Sequence, residues 1–221
     1  MTPALRETVT SALALLVFAM VGGALLSGSF IVTRPTIEKS EQAEKLALVA
    51  QTLPADSFDN DLIRDALALP ADPLLGLKRP GSAYPARRNG ETVAVVLEAV
   101  APDGYSGEIH LLVGIQADGR IAGVRVTAHK ETPGLGDYID LARSPWIRQF
   151  DGKSLENPMT ADWKVKKDGG RFDYFAGATV TPRAVIKATR KALEYFAAHR
   201  AELLAPSRSK ISRAASPESR S

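Results

Sequence analysis

One short segment gathers residue types that can do chemistry: Asp173-Tyr174-Phe175-Ala176-Gly177-Ala178-Thr179-Val180-Thr181-Pro182. Thr181 followed by Pro182 reads as a helix start. A threonine oxygen accepts from the orphan N–H groups of a first turn, and proline loses nothing at the first helical position. The start of a helix favours anions, phosphate included. Before it, Ala176-Gly177-Ala178 leaves room for a bulky group beside the backbone. The hydroxyls of Thr179 and Thr181 stand next to that room, so the segment offers a nucleophile, a clear approach and a positive helix end. The same spacing also describes an ordinary glycine turn and a capped helix, and the local pattern alone leaves both readings open.

Two more loops carry glycines beside polar groups. They are Tyr105-Ser106-Gly107-Glu108 and Lys130-Glu131-Thr132-Pro133-Gly134-Leu135-Gly136-Asp137. Glycine permits close backbone approach and unusual φ angles. Thr132 and neighbouring N–H groups are candidate contacts for a phosphate or a ring edge. The second loop opens no helix after a strand with Gly-x-Gly-x-x-Gly, so it is no dinucleotide-binding fingerprint.

The elements that must position these loops read as α+β. Thr92–Val100 is apolar and β-branched apart from Glu98, and Ile109, Leu111, Val113 and Ile115 alternate onto one face. Asp118-Gly119 is a hairpin signal, after which Ile121, Val124 and Val126 continue a strand to about His129. This predicts an antiparallel, half-buried sheet. Pro182 to about Leu204 reads as the last helix, with Val185, Ala188, Ala192, Tyr195 and Phe196 towards the sheet. Trp146 and Trp163 read as core or interface residues, with stacking on a flat ligand ring as the rival role.

Upstream, residues 9–33 form an uncharged run bounded by Glu7 and Arg34. A run beyond about 18 residues reads as a transmembrane helix. A cleaved signal peptide, with Ser27-Gly28-Ser29 as its site, is the rival, but its apolar core would span only about 7–15 residues. Lys/Arg counts on the two sides leave the orientation open. Helices are expected at about Thr36–Gln51 and Asp59–Leu69, and prolines at 70, 73, 80 and 85 suggest a loop-rich connection. The expected layout is a tail at 1–8, the span at 9–33, a helical and loop-rich segment at 34–91, the main domain at 92–204 and a disordered tail at 205–221.

The segment Asp173-x-x-Ala176-Gly177-Ala178-Thr179 resembles the flavinylation motif of FMN-binding domains, Asp-x-x-Ser/Thr-Gly-Ala-Thr. Ala176 departs from it; Asp173, Gly177, Ala178 and Thr179 match. The stretches Gly104-Tyr105-x-Gly107 and Glu131–Gly136 resemble two further segments of that family, in order and spacing, so the resemblance covers roughly 92–197. It implies FMN held through a phosphoester on Thr179, with Thr181 the runner-up acceptor. It also implies that Tyr105, Glu131, Thr132, Pro133, Gly134, Leu135 and Gly136 help enclose the flavin. With the amino-terminal span, the layout resembles the anchored flavin subunits of Rnf-type and sodium-pumping NADH:quinone reductase complexes. The implied function is a membrane-bound, extracytoplasmic electron carrier in a multi-subunit ion-translocating complex, loaded by a Mg²⁺-dependent flavin transferase using FAD. A membrane-anchored binding module without covalent flavin and a reductase that binds FMN reversibly are the alternatives.

Composition narrows the rest. Cysteine is absent, which excludes disulfides, cysteine-ligated iron–sulfur clusters and haem attached through Cys-x-x-Cys-His. The flavin is then the expected redox centre. A formal net charge of +3 over 221 residues does not suggest a nucleic-acid partner. His110, His129 and His199 are scattered, and no metal site is expected.

Overall fold

The computed structural model describes residues 15–23, 25, 27, 28, 30 and 46–206. The chain divides into two units, Met1–Lys45 and Leu46–Ser221. In the first, residues 15–23 are helical, with Leu15, Phe18 and Met20 exposed. No helix among the described residues is long and apolar enough to cross a membrane. About half of the expected span at 9–33 lies outside them, as do the expected helix before residue 46 and nearly all of the expected tail at 205–221.

The second unit is built on an antiparallel meander of five strands in sequence order: β1 (Leu67–Leu69), β2 (Gly81–Arg88), β3 (Glu91–Ala101), β4 (Ile109–Gln116) and β5 (Ile121–Ala128). The strands β3 to β5 fall where alternation puts them. Two upstream expectations are corrected. Asp59–Leu69 is not a helix: turns lead into β1. The proline-rich stretch from 70 to 90 is not all loop, since β2 pairs with β3 along its length. Asn89 and Gly90, at φ of 53° and 80°, close a tight hairpin. Pro85 is tolerated because its carbonyl, which accepts from Asn60 Nδ2 at 3.0 Å, points to the outer edge. Its missing N–H falls on that same edge, away from β3.

Both faces of the sheet are covered, so it is not half-buried. On one face Ile109, Leu111, Val113 and Ile115 join Val95 and Leu97 under the long helix α1 (Val180–Leu203). Val185, Ala188, Ala192, Tyr195 and Phe196 of α1 are buried there, as its spacing predicts. Short 3₁₀ turns at Asp137–Ile139, Pro145–Phe150, Thr160–Asp162 and Lys166–Asp168 add an aromatic cluster. Trp146, Phe150, Trp163 and Phe172 pack ring against ring in it. Both tryptophans are core residues, and their N–H groups donate to the carbonyls of Asp173 and Pro158. On the other face Val49, Leu53 and Leu62 pack on Tyr84, Val96 and Leu112. Gly114 and Gly123 face each other across β4 and β5. The Thr52 carbonyl sits where their side chains would be, 2.7 and 2.8 Å from the absent Cβ atoms.

Candidate functional site

The antiparallel order brings the β3–β4 loop and the segment after β5 to one end of the sheet, where α1 begins. They meet around a cavity of about 130 Å³. Its lining includes Tyr105 from the first loop, Glu131, Thr132, Leu135 and Gly136 from the second, and Gly177–Thr181. Thr132 starts a turn in which its carbonyl accepts from the N–H groups of Leu135 and Gly136 at 3.1 and 2.9 Å. Gly134 has a φ of +75° and open space around it, so it serves backbone conformation. Gly136 serves close approach: a Cβ there would lie 3.0 Å from Glu131 Oε2 and 3.2 Å from Thr181 Oγ1.

The helix start differs from its expected form. α1 begins at Val180, Thr179 occupies the N-cap position, and its side chain makes no capping hydrogen bond. Thr181 is inside the first turn and only 1% exposed, and its hydroxyl donates to Glu131 Oε2. It is therefore neither a cap nor an accessible acceptor. The buried carboxylate fifty residues upstream has captured the hydroxyl that local pattern assigns to capping. Pro182 still costs nothing, because the N–H groups of the first turn are orphans anyway.

Thr179 is half-exposed, and the residues before it are held firmly. Gly177 takes a φ of +89°, with Leu135 Cδ1 3.6 Å from its absent Cβ. The Ala178 N–H donates to the Phe175 carbonyl at 3.1 Å, and the Ala178 carbonyl accepts from the Tyr138 hydroxyl at 3.0 Å. Burial, with the nearby Glu131 charge adding to it, pushes the Tyr138 hydroxyl up to about 12, so it remains a donor at neutral pH.

Not every expected residue lies at the cavity. Asp173 sits outside it: its carboxylate pairs with Lys166, its N–H donates to Gln149 Oε1 at 2.7 Å, and its carbonyl accepts from Trp146. Pro133 and Gly134 form the back of their turn and do not line the cavity. Thr181, expected as the runner-up acceptor, lines the cavity together with Val180, which no motif marks, and the exposed Phe175 packs on Tyr138 at 4.2 Å between centroids. The signal for Thr181 is its helical phase, which it shares with the buried face of α1. Among the described residues no group of His, Asp and Glu could hold a metal ion.

The exposed apolar side chains near this end are Tyr105, Leu135, Phe175 and Val180, of which Tyr105 is 71% exposed. An uncapped helix start, a threonine whose hydroxyl makes no capping bond, small residues and an apolar rim suit a ligand with an anionic end and a flat apolar ring. FMN is such a ligand, and the residues fit it.

Comparison with known proteins agrees. The chain is 53% identical over 201 residues to the G-subunit of the ion-translocating oxidoreductase complex of Pseudomonas aeruginosa, covering 91% of this chain and 94% of that protein. The chain belongs to the G-subunit family of these complexes. The corresponding G-subunit of Vibrio cholerae is 47% identical over 191 residues, covering 86% of this chain and 91% of that one. Residues 104–194 match the FMN-binding domain family, and residues 1–52 match the RnfG N-terminal region. A solved structure, Shewanella oneidensis NqrC, is 25% identical with a TM-score of 0.46, covering 68% of this chain and 76% of that one. For a G-subunit family member, the matched FMN-binding stretch encloses every residue that lines the cavity.

Proposed function

We propose that this chain is the flavin-carrying redox component of an ion-translocating oxidoreductase complex, with FMN attached by a phosphoester to Thr179. The observation that carries this reading is the contrast at the start of α1. Thr179 is a partly buried residue whose side chain makes no capping bond, whereas Thr181 is buried and its hydroxyl is bound to Glu131. FMN, once bound, accepts and passes on electrons singly or in pairs.

The chain's own residues then divide the work. The first N–H groups of α1 would hold the phosphate, a placement favoured by about 0.3–1 kcal/mol at a helix start. Gly177 and Leu135 shape the approach to Thr179. Tyr138 fixes the Ala178 carbonyl, and with it the peptide leading into Thr179. Tyr105, Leu135, Phe175 and Val180 give the ring apolar surface. Loading would form a Thr179 Oγ–phosphorus bond as the phosphoanhydride of FAD breaks. AMP leaves, and the hydroxyl proton passes to a base of the flavin transferase. Metal ions stabilise the charge that develops on such a phosphoryl group.

The uncharged run at 9–33 supports retention as a membrane anchor, and the extracytoplasmic side of the domain beyond it rests on the family resemblance alone. The remaining partners are the other subunits of the complex. Peptide mass spectrometry of Thr179→Ala and Thr181→Ala, co-expressed with a flavin transferase, tests the attachment. Thr179→Ala should fold and carry no covalent flavin, while Thr181→Ala should still carry it. Flavin retained in Thr179→Ala and lost from Thr181→Ala would move the attachment to Thr181; wild-type protein without fluorescence after denaturation would leave a binding module.

A further inference from the structure

We infer that Glu131 is a positioning residue: its carboxylate fixes the start of α1, and through it Thr179, rather than binding the flavin. The inference rests on the reading of Thr179 as carrier. Glu131 is 4% exposed. Its Oε1 accepts from the Ser106 N–H at 3.0 Å, and its Oε2 accepts from the Thr181 hydroxyl. Its own N–H donates to His129 Nδ1 at 3.1 Å.

Two glycines are packed onto the same carboxylate. An added Cβ at Gly104 would lie 3.0 Å from Oε1, and one at Gly136 would lie 3.0 Å from Oε2. At Gly136 the carboxylate is the nearest obstacle to a side chain, whereas at Gly104 the Gly107 carbonyl, 2.2 Å from the absent Cβ, is nearer still. One carboxylate thus ties together three segments, 25 and 50 residues apart from it in sequence. Both oxygens accept hydrogen bonds inside the protein, which commits the carboxylate to the loop at Ser106 and to the start of α1. Thr181 is two residues beyond Thr179 within a helical turn, and a turn transmits position rigidly. Holding Thr181 fixes the direction in which Thr179 leaves the helix start. A buried carboxylate held by internal donors is costly to disturb, which suits a fixed anchor and not an adaptable ligand contact.

The test uses full-length protein in detergent, with Glu131→Leu, Glu131→Gln, Thr181→Val and the Glu131→Leu/Thr181→Val pair. Leucine keeps the buried volume. Glutamine keeps an acceptor for Ser106, and the freely rotating Thr181 hydroxyl can accept from its amide. Protein made without flavin transferase is read by amide exchange at Ser106 and across 176–181. Glu131→Leu should accelerate exchange there by about tenfold or more, and glutamine should restore it to within about threefold of wild type. Thr181→Val should loosen 176–181, and the pair should be no worse than Glu131→Leu alone. In loaded protein, Glu131→Leu should change the visible circular dichroism of the flavin while mass spectrometry still finds it on Thr179. Exchange unchanged in Glu131→Leu, or additive effects in the pair, would overturn the inference. Exchange is measured without flavin, so its outcome stands apart from whether Thr179 carries one.

Discussion

Placing a methyl at Gly114 should unseat the second layer of the domain without touching the flavin site. The Cβ of Gly114→Ala would lie 2.7 Å from the Thr52 carbonyl oxygen, about 0.7 Å short of ordinary contact. It would also lie 3.0 Å from Thr52 Oγ1, which donates to the Val49 carbonyl at 2.6 Å. The obstacle is backbone, held by its own turn, so it cannot swing aside like a flexible side chain. Overpacking of this kind costs about 1–3 kcal/mol, and a strained Thr52–Val49 bond adds up to about 1 kcal/mol. For a domain of this size, about 2–3 kcal/mol lowers Tm by about 5–10 °C. Gly123→Ala meets the same carbonyl at 2.8 Å and should cost about as much. Both methyls push one group in one direction, so the double variant should fall short of the sum of the two. Thermal unfolding of full-length protein in detergent, followed by circular dichroism, reads the midpoint, and bound flavin is measured beside it. A midpoint within about 2 °C of wild type for Gly114→Ala would show that the 46–66 layer gives way freely and refute the reasoning.

Asp65→Ala removes the partner of the buried Arg87 guanidinium, 2.7 Å away; because Asp65 is about one-third exposed, urea denaturation should find a loss of about 2 kcal/mol, below that of a fully buried pair. The Asp168 carboxyl is held below its ordinary value of 3.8, chiefly by its hydrogen bonds from Arg183. A lowered folded pKa stabilises above 3.8 and is lost as pH falls through the folded value, so a Tm gap between wild type and Asp168→Asn should exist at pH 7 and close below that range. For Tyr138 the folded pKa is raised from 10.0 to about 12, so its stabilisation is full below pH 10 and lost as pH rises towards 12. Across that window wild type should lose about 2–3 kcal/mol more than Tyr138→Phe in a denaturation series, with Tyr138→Phe about 1 kcal/mol less stable at pH 7 for want of the donor to Ala178.

Local pattern carried the strands β3 to β5 and the helix α1, because each buries a continuous apolar stripe whose period is visible over eight residues or more. The strand β2 was obscured by its proline, although Asn89-Gly90 is a strong two-residue hairpin signal. What a proline forbids depends on which edge its nitrogen faces, and that is settled by a partner, here Asn60, far away in the chain. The covered second face escaped for a similar reason. Gly114 and Gly123 look like weak points of their strands, and only their pairing with each other and with Thr52 makes them a seat for another layer. At the site, the glycine loops and the hydroxyl were legible as a group because the meander folds them to one sheet end. The bond from Thr181 to Glu131 spans fifty residues and left no local mark.

The distinction between Thr179 and Thr181 was nonetheless present in the helix phase. Successive helical residues turn by about 100°, so residues two apart point about 200° from each other. Thr181 lies on the stripe that continues through Val185, Ala188 and Ala192, all buried against the sheet. Thr179 lies on the stripe of Arg183 and Lys187, both exposed and paired with Asp168 and Asp103. A helix that packs Val185 on the sheet must therefore turn Thr181 inward, where an unpartnered hydroxyl would be costly and a carboxylate is supplied. By the same rotation it must turn Thr179 outward, beside the orphan N–H groups of its own first turn. Under the proposed attachment, the acceptor is selected by the rotation of α1 on its core, so a substitution that re-phases the helix, not one that alters either threonine, is the change that would exchange their roles.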